Sequence, residues 1–131
     1  MYHCQLQTYL AGHGPEALGI LKRLPPSPGF SHSFTESREP DPSLAADAGL
    51  ILADVQGQDA LAAVQALLRA KAPEAECIVI ASREQAGLLE EVLDGLADLW
   101  TGPLSGAELR FRFQRWQRER KLRADAWETH Q

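Results

Sequence analysis

Apolar residues along the chain alternate between short continuous runs and stripes at helical spacing. His3 to Leu10 reads as a strand. Gly12-His13-Gly14-Pro15 interrupts it and places a proline where helices start. Ala17, Leu18, Ile20, Leu21 and Leu24 then recur at helical spacing until Pro25-Pro26 forbids continuation. Phe30, His32 and Phe34 alternate with Ser31, Ser33 and Thr35, predicting a second strand. A charged, proline-bearing connection over 37–42 follows, and Ser43 to Ala48 forms a short helical turn.

The pattern sharpens from there. Leu50-Ile51-Leu52-Ala53, closed by Asp54, is a short apolar run of the kind buried on both faces of a sheet. Gln56-Gly57-Gln58-Asp59 turns the chain, with Asp59 as N-cap, and Leu61, Val64, Leu67 and Leu68 carry a helix that ends before Pro73. Cys77 to Ser82 is a second buried strand. A helix from Glu84 to Leu93, apolar at Leu88, Leu89, Val92 and Leu93, leads to a short strand over Asp98–Thr101. Ser105 and Glu108 form a capping-box pattern that opens a last helix of more than 20 residues, since no breaker appears before Gln131. Strands alternating with helices in this way predict an α/β fold in three layers, with a five-stranded parallel sheet between helices. Chemistry in such sheets collects at the carboxyl ends of the strands.

Composition narrows the class further. The 131 residues suffice for one core, and 44% apolar with 24% charged residues is the balance of an ordinary globular domain. No apolar stretch approaches the roughly 20 residues that span a bilayer. The amino terminus lacks the basic and apolar regions of a secretory signal, so the cytoplasm is the expected location. Cys4 and Cys77 are expected to be buried thiols, because two cysteines make neither a disulfide scaffold nor a four-ligand zinc site. The net charge of −5 conceals an asymmetry: residues 1–103 sum to −8 and residues 104–131 to +3.

Five βα units, an aspartate closing the third strand, a small hydroxyl residue closing the fourth and a Thr-x-Pro corner before the last helix resemble a bacterial response-regulator receiver domain, of CheY-like, flavodoxin-like fold. The resemblance covers residues 3 to about 121. It is carried by "LILADV", similar to the segment around the family's phosphoacceptor aspartate, and by "GLADLWTGPLSGAEL", similar to its fifth strand and the start of its last helix. It implies a domain over 1–121, with 122–131 a helical extension toward a downstream sensory, kinase or cyclic-dinucleotide-synthesising module.

By that resemblance Asp54 is the phosphoacceptor equivalent, with Gly12, His13, Ser82, Thr101 and Gly102 around it. Acyl-phosphate chemistry needs a metal to neutralise crowded oxygens and a fixed cation for the phosphoryl group. The family's acidic pair is here Gly12 and His13, neither a hard anionic ligand, and its lysine is Gly102. A degenerate, non-catalytic pseudo-receiver is therefore expected, with no metal or other cofactor; magnesium enters only if Asp54 is a working acceptor, the alternative reading. A flavodoxin-like binder of a small ligand is the third. His3, Cys4 and His32 lack partners at ligand spacing and read as strand residues.

The last helix points to protein partners. Leu109, Phe113, Trp116, Arg120, Arg123 and Trp127 fall near one face, and beyond Gln117 the helix outruns a receiver-sized body. A homodimer through this helix is expected, with Leu99, Trp100, Phe113, Trp116 and Trp127 as its interaction residues. The tail's four acids and the chain's pI near 5.3 argue against nucleic acid, and no feature points to a membrane.

Overall fold

The computed structural model describes residues 4–12, 15–23, 30–55, 59–102 and 104–129, with the backbone alone at 4, 5, 15–18, 30 and 123–129. Five strands, β1 (Cys4–Ala11), β2 (Phe30–Ser37), β3 (Leu50–Asp54), β4 (Glu76–Ala81) and β5 (Asp98–Thr101), form one parallel sheet in the order β2-β1-β3-β4-β5. The helices are α1 (Pro15–Lys22), α2 (Pro42–Ala45), α3 (Ala60–Ala70), α4 (Arg83–Leu88) and α5 (Gly106–Thr129).

The two faces of the sheet carry separate cores. Leu6, Leu10, Leu50, Leu52, Ile78, Ile80 and Trp100 pack with Leu21 of α1 and with Leu109, Phe113 and Trp116 of α5. Tyr9, Ile51, Cys77 and Val79 point the other way, onto Val64 and Leu67 of α3 and onto Leu89. This alternation is the pleat expressed through β3 and β4, both buried on two faces. Each fully buried Leu or Ile contributes about 1.5–3 kcal/mol relative to exposure, which makes these two strands the anchor of the fold.

Four sequence expectations change. The strand predicted over Phe30–Thr35 extends to Ser37 and pairs along its whole length with β1. The helix predicted over Glu84–Leu93 is two pieces: α4 ends at Leu88, and Glu90–Gly95 is a 3-10 helix. Residues three apart eclipse in a 3-10 helix, so Val92 joins buried Leu89 over the core while Leu88 and Leu93 turn to solvent. Asp59 stands at the N-cap of α3 and its carbonyl accepts from Ala63 N, but its side chain makes no capping hydrogen bond. The 37–48 connection is tied down: buried Tyr9 hydrogen-bonds Ser37 Oγ and accepts from Asp41 N at 2.9 Å, and Asp41 Oδ1 caps α2 through Ser43 N. The turns at His13, Pro25-Pro26 and 56–58 lie outside the described residues.

At β5, an edge strand, Asp98 Oδ1 accepts from Leu99 N at 2.8 Å and Oδ2 accepts from Trp100 Nε1 at 2.9 Å. Cys77 is a fully buried thiol within β4; burial pushes its pKa up to about 12 against the opposing charge of Lys71. The Cys4 side chain lies outside the described residues.

Candidate functional site

The strand order reverses between β1 and β3, so the crevice for a ligand lies at their carboxyl ends. Parallel pairing sets Leu10 opposite Leu52 and Ala11 opposite Ala53, which delivers Gly12 and Asp54 side by side. On the far side of β3, Asp54 is in register with Ile80, and Ala81 with Thr101. Gly12, Asp54, Ser82, Thr101 and Gly102 therefore lie at the carboxyl ends of neighbouring strands. His13 and Pro103 lie outside the described residues.

That crevice is closed by backbone. Gly12 has φ +76°, a conformation that side-chain-bearing residues avoid. A Cβ there would overlap the Asp54 carbonyl oxygen outright and sit 3.3 Å from its carbon. Gly12 N is fixed in this position by donating to Ser37 O at 2.9 Å. Even an alanine here forces the Asp54 backbone to shift, and an acid carries the same Cβ. The magnesium implied by the receiver resemblance therefore does not fit the residues present.

The neighbours complete that picture. Ser82 is committed to helix geometry: its Oγ accepts from Gln85 N at 3.3 Å while Gln85 Oε1 accepts from Ser82 N at 3.4 Å, a reciprocal capping box that opens α4. A β-carbon on Gly102 would meet Ile80 Cγ2 at 3.1 Å, and Gly102 N donates to Ala81 O at 2.8 Å, so the corner is tight although its φ is ordinary. Among the described residues no three His, Cys, Asp or Glu side chains gather as a metal site.

A second concave region lies along the β5 edge of the sheet. Between β5 and α5 runs an open groove of about 1160 Å³, floored by Trp100 and Trp116 and rimmed by Phe111, Arg112, Arg115 and Leu122. Phe111 is 65% and Leu122 60% exposed. Trp116 is buried, its Nε1 has no hydrogen-bond partner among the described residues, and the Arg120 guanidinium sits 5.7 Å from its ring centroid while donating to Glu76 Oε2 at 2.7 Å.

This placement corrects the expected interaction residues. Trp100, Phe113 and Trp116 are core side chains and Leu99 packs against the opposite core, because strand alternation and helical period give these positions to the sheet. The Trp127 side chain lies outside the described residues. Among the described residues, the large apolar side chains that α5 presents to solvent are Phe111 and Leu122. Phe111 was legible in principle: at about 100° per residue it lies roughly opposite Leu109 and Phe113 on the helix.

Sequence reading also missed a polar node between the sheet and α5. His32 Nε2 lies 2.5 Å from the Gln117 amide nitrogen and Nδ1 lies 3.4 Å from Thr8 Oγ1, with the ring stacked on Phe34 and tilted against Phe113. Burial pushes the His32 pKa down; the Gln117 amide nitrogen can only donate, so His32 Nε2 accepts from it.

Among solved structures the chain is similar to the RcsB response regulator of Salmonella typhimurium, at 19% identity and TM-score 0.52 over 73% of this chain and 53% of that one. The chain has the receiver fold. The same receiver fold aligns with the pilus assembly protein CpaE of Caulobacter crescentus CB15, at 13% identity and TM-score 0.57 over 84% of this chain and 90% of that one. It aligns also with a structure assigned as CpaE2 of Sinorhizobium meliloti 1021, at 17% identity and TM-score 0.60 over 84% and 98%. No family model and no curated protein matches the sequence.

Proposed function

We propose that this receiver-fold domain is a non-catalytic pseudo-receiver, which works by protein–protein contact through α5 within a larger signalling or assembly protein. The closed crevice carries this reading: Gly12 stands where the family places an acid, and Asp54's own carbonyl fills the space that acid would need. Without the family's acidic pair, and with glycine in place of its lysine, the surroundings of Asp54 lack the charges that a phosphoryl group requires. The likeness to two pilus assembly proteins favours an assembly context over a phosphorelay. The reading needs no cofactor. It is compatible with a cytoplasmic location, and no helix among the described residues is long and apolar enough to cross a membrane.

The test is an amide NMR spectrum in magnesium, before and after adding beryllofluoride, which mimics a phosphoryl group on aspartate. The amides of Asp54, Ser82 and Thr101 are expected to stay in place. A saturable shift at these positions, abolished by Asp54→Asn, overturns the proposal and makes the domain a working acceptor.

A further inference from the structure

The solvent side of α5 does not mix its charges evenly. At about 100° per residue, Leu122 lies about 20° from Phe111 in one direction, and Arg118 lies about 20° from it in the other. Phe111 and Leu122, both more than half exposed, thus stand on one line along the crest of the helix, about 16 Å apart.

The two flanks of this crest differ in sign. The flank facing β2 is marked by Gln117, which meets His32. Over 106–122 it carries exposed Arg110 and Gln114 and half-buried Lys121, and no carboxylate. Arg110, Arg118 and Lys121 form no ion pair among the described residues. Lys22 ends α1 and Arg23 follows it, both exposed, on the same face of the sheet, where Leu21 packs with Leu109 and Phe113. The acids lie on the groove flank and are engaged there: Glu119 with Arg115, Glu76 with Arg120, Glu108 with Ser105 N, and Asp98 with Leu99 N and the Trp100 indole. Residues 1–103 sum to −8, so the net positive charge of the chain is gathered on α5.

A matching partner must offer many anions and also accept two separate, protruding apolar side chains. Nucleic acid brings phosphates but no apolar layer. An acidic protein must supply two pockets at the spacing of Phe111 and Leu122, with carboxylates placed between them. The interface of an anionic bilayer supplies phosphates and an apolar boundary together, with no register to match.

We infer that the crest of α5 docks on an anionic phospholipid bilayer, with Phe111 and Leu122 entering the headgroup boundary and Arg110, Arg118 and Lys121 meeting lipid phosphates. The sequence alone pointed to no membrane, because the apolar positions of α5 read as a single core stripe; their separation into buried Phe113 and Trp116 and exposed Phe111 and Leu122 changes that. Such a peripheral contact needs no spanning helix. It goes beyond the pseudo-receiver reading and gives α5 a second class of partner. Screening makes it weaken as salt rises.

The test is co-sedimentation of the full chain with vesicles, of phosphatidylcholine alone or mixed with an equal amount of phosphatidylglycerol. Binding to the anionic vesicles is expected to exceed binding to the neutral ones at least about tenfold at low salt. Arg118→Glu is expected to weaken it about twentyfold, and Phe111→Ser at least about tenfold. Arg83→Glu changes the net charge by the same amount as Arg118→Glu, but at an exposed site on α4, across the sheet from α5, and is expected to bind like wild type. Circular dichroism checks that each variant is folded.

A wild type that ignores anionic vesicles at low salt overturns the inference. So does equal binding to both vesicle types, or a loss on Arg83→Glu as large as that on Arg118→Glu, which marks a net-charge effect. Binding that survives Phe111→Ser unchanged also overturns it, as does polyglutamate or duplex DNA held more tightly than the anionic vesicles, which marks an acidic protein or nucleic acid as the partner. None of these results touches the beryllofluoride experiment, which reads the carboxyl ends of the strands, so the two readings fail separately.

Discussion

Adding a single methyl group at Gly12 isolates the feature on which the functional reading turns. Gly12→Ala places a side chain at φ +76°, which costs an L-residue about 1–2 kcal/mol. The new Cβ also falls on the Asp54 carbonyl oxygen, and the neighbouring atom is backbone held between two strands, so it cannot rotate aside. Forcing extra volume into such a site costs about 1–3 kcal/mol more. The sum, about 2–5 kcal/mol, is a large share of the roughly 5–15 kcal/mol that holds a domain folded.

With about 2.1 cal/mol/K of unfolding entropy per residue, 131 residues convert each kcal/mol into about 3.6 °C, so Tm is expected to fall by about 7–18 °C. Thermal unfolding followed by circular dichroism measures it. Gly102→Ala is the control: its tightest contact would be the Ile80 Cγ2 methyl, at 3.1 Å, with no positive φ, and the expected loss is under about 4 °C. A Gly12→Ala protein that melts within about 3 °C of wild type would refute the closed crevice and reopen the metal site. Gly12→Asp, which restores the family's acid type, is expected to destabilise at least as much and to bind no magnesium.

Three further outcomes follow from the same geometry. Ser82→Ala removes the capping box of α4 and is expected to cost about 1 kcal/mol, a Tm loss of about 3–4 °C, while beryllofluoride leaves its spectrum as unmoved as the wild type's. Cys77 is protonated more tightly folded than unfolded, so its contribution is intact below its ordinary value of 9.0 and is lost as pH rises toward about 12. Denaturant unfolding across that window should show the fall, Cys77→Ala should lack it, and a folded thiol alkylated as fast as a free one would contradict it. His32 has the opposite slope. Its folded pKa lies below 6.5, so stability is full above 6.5 and declines as pH drops beneath it. Unfolding midpoints measured below 6.5 should flatten in His32→Gln.

The parts of the fold that the sequence revealed are those buried on both sides. Leu50–Ala53 and Cys77–Ala81 carry no polar side chain, which admits few alternatives to a central strand. The break after α4 was not legible, because Leu88, Leu89, Val92 and Leu93 satisfy an α-helical stripe as well as the 3-10 arrangement that the chain adopts. At the strand ends the missing acids and lysine could be read from Gly12, His13 and Gly102. The filled crevice could not, since it depends on the register of β1 against β3. The His32–Gln117 contact spans 85 residues of sequence and arises only when α5 crosses β2.

The carboxylate of Asp98 has a consequence for how copies of this protein can meet. A sheet margin with open amide donors is a template onto which another chain can crystallise as one more strand, the geometry from which fibrils grow. Here the strand uses its own acid on the Leu99 amide, and the same acid holds the Trp100 indole. A neighbouring backbone must evict that carboxylate, lose its charge-assisted bonds and leave an anion beside the new strand. At the β5 margin, lateral growth through main-chain pairing is therefore disfavoured.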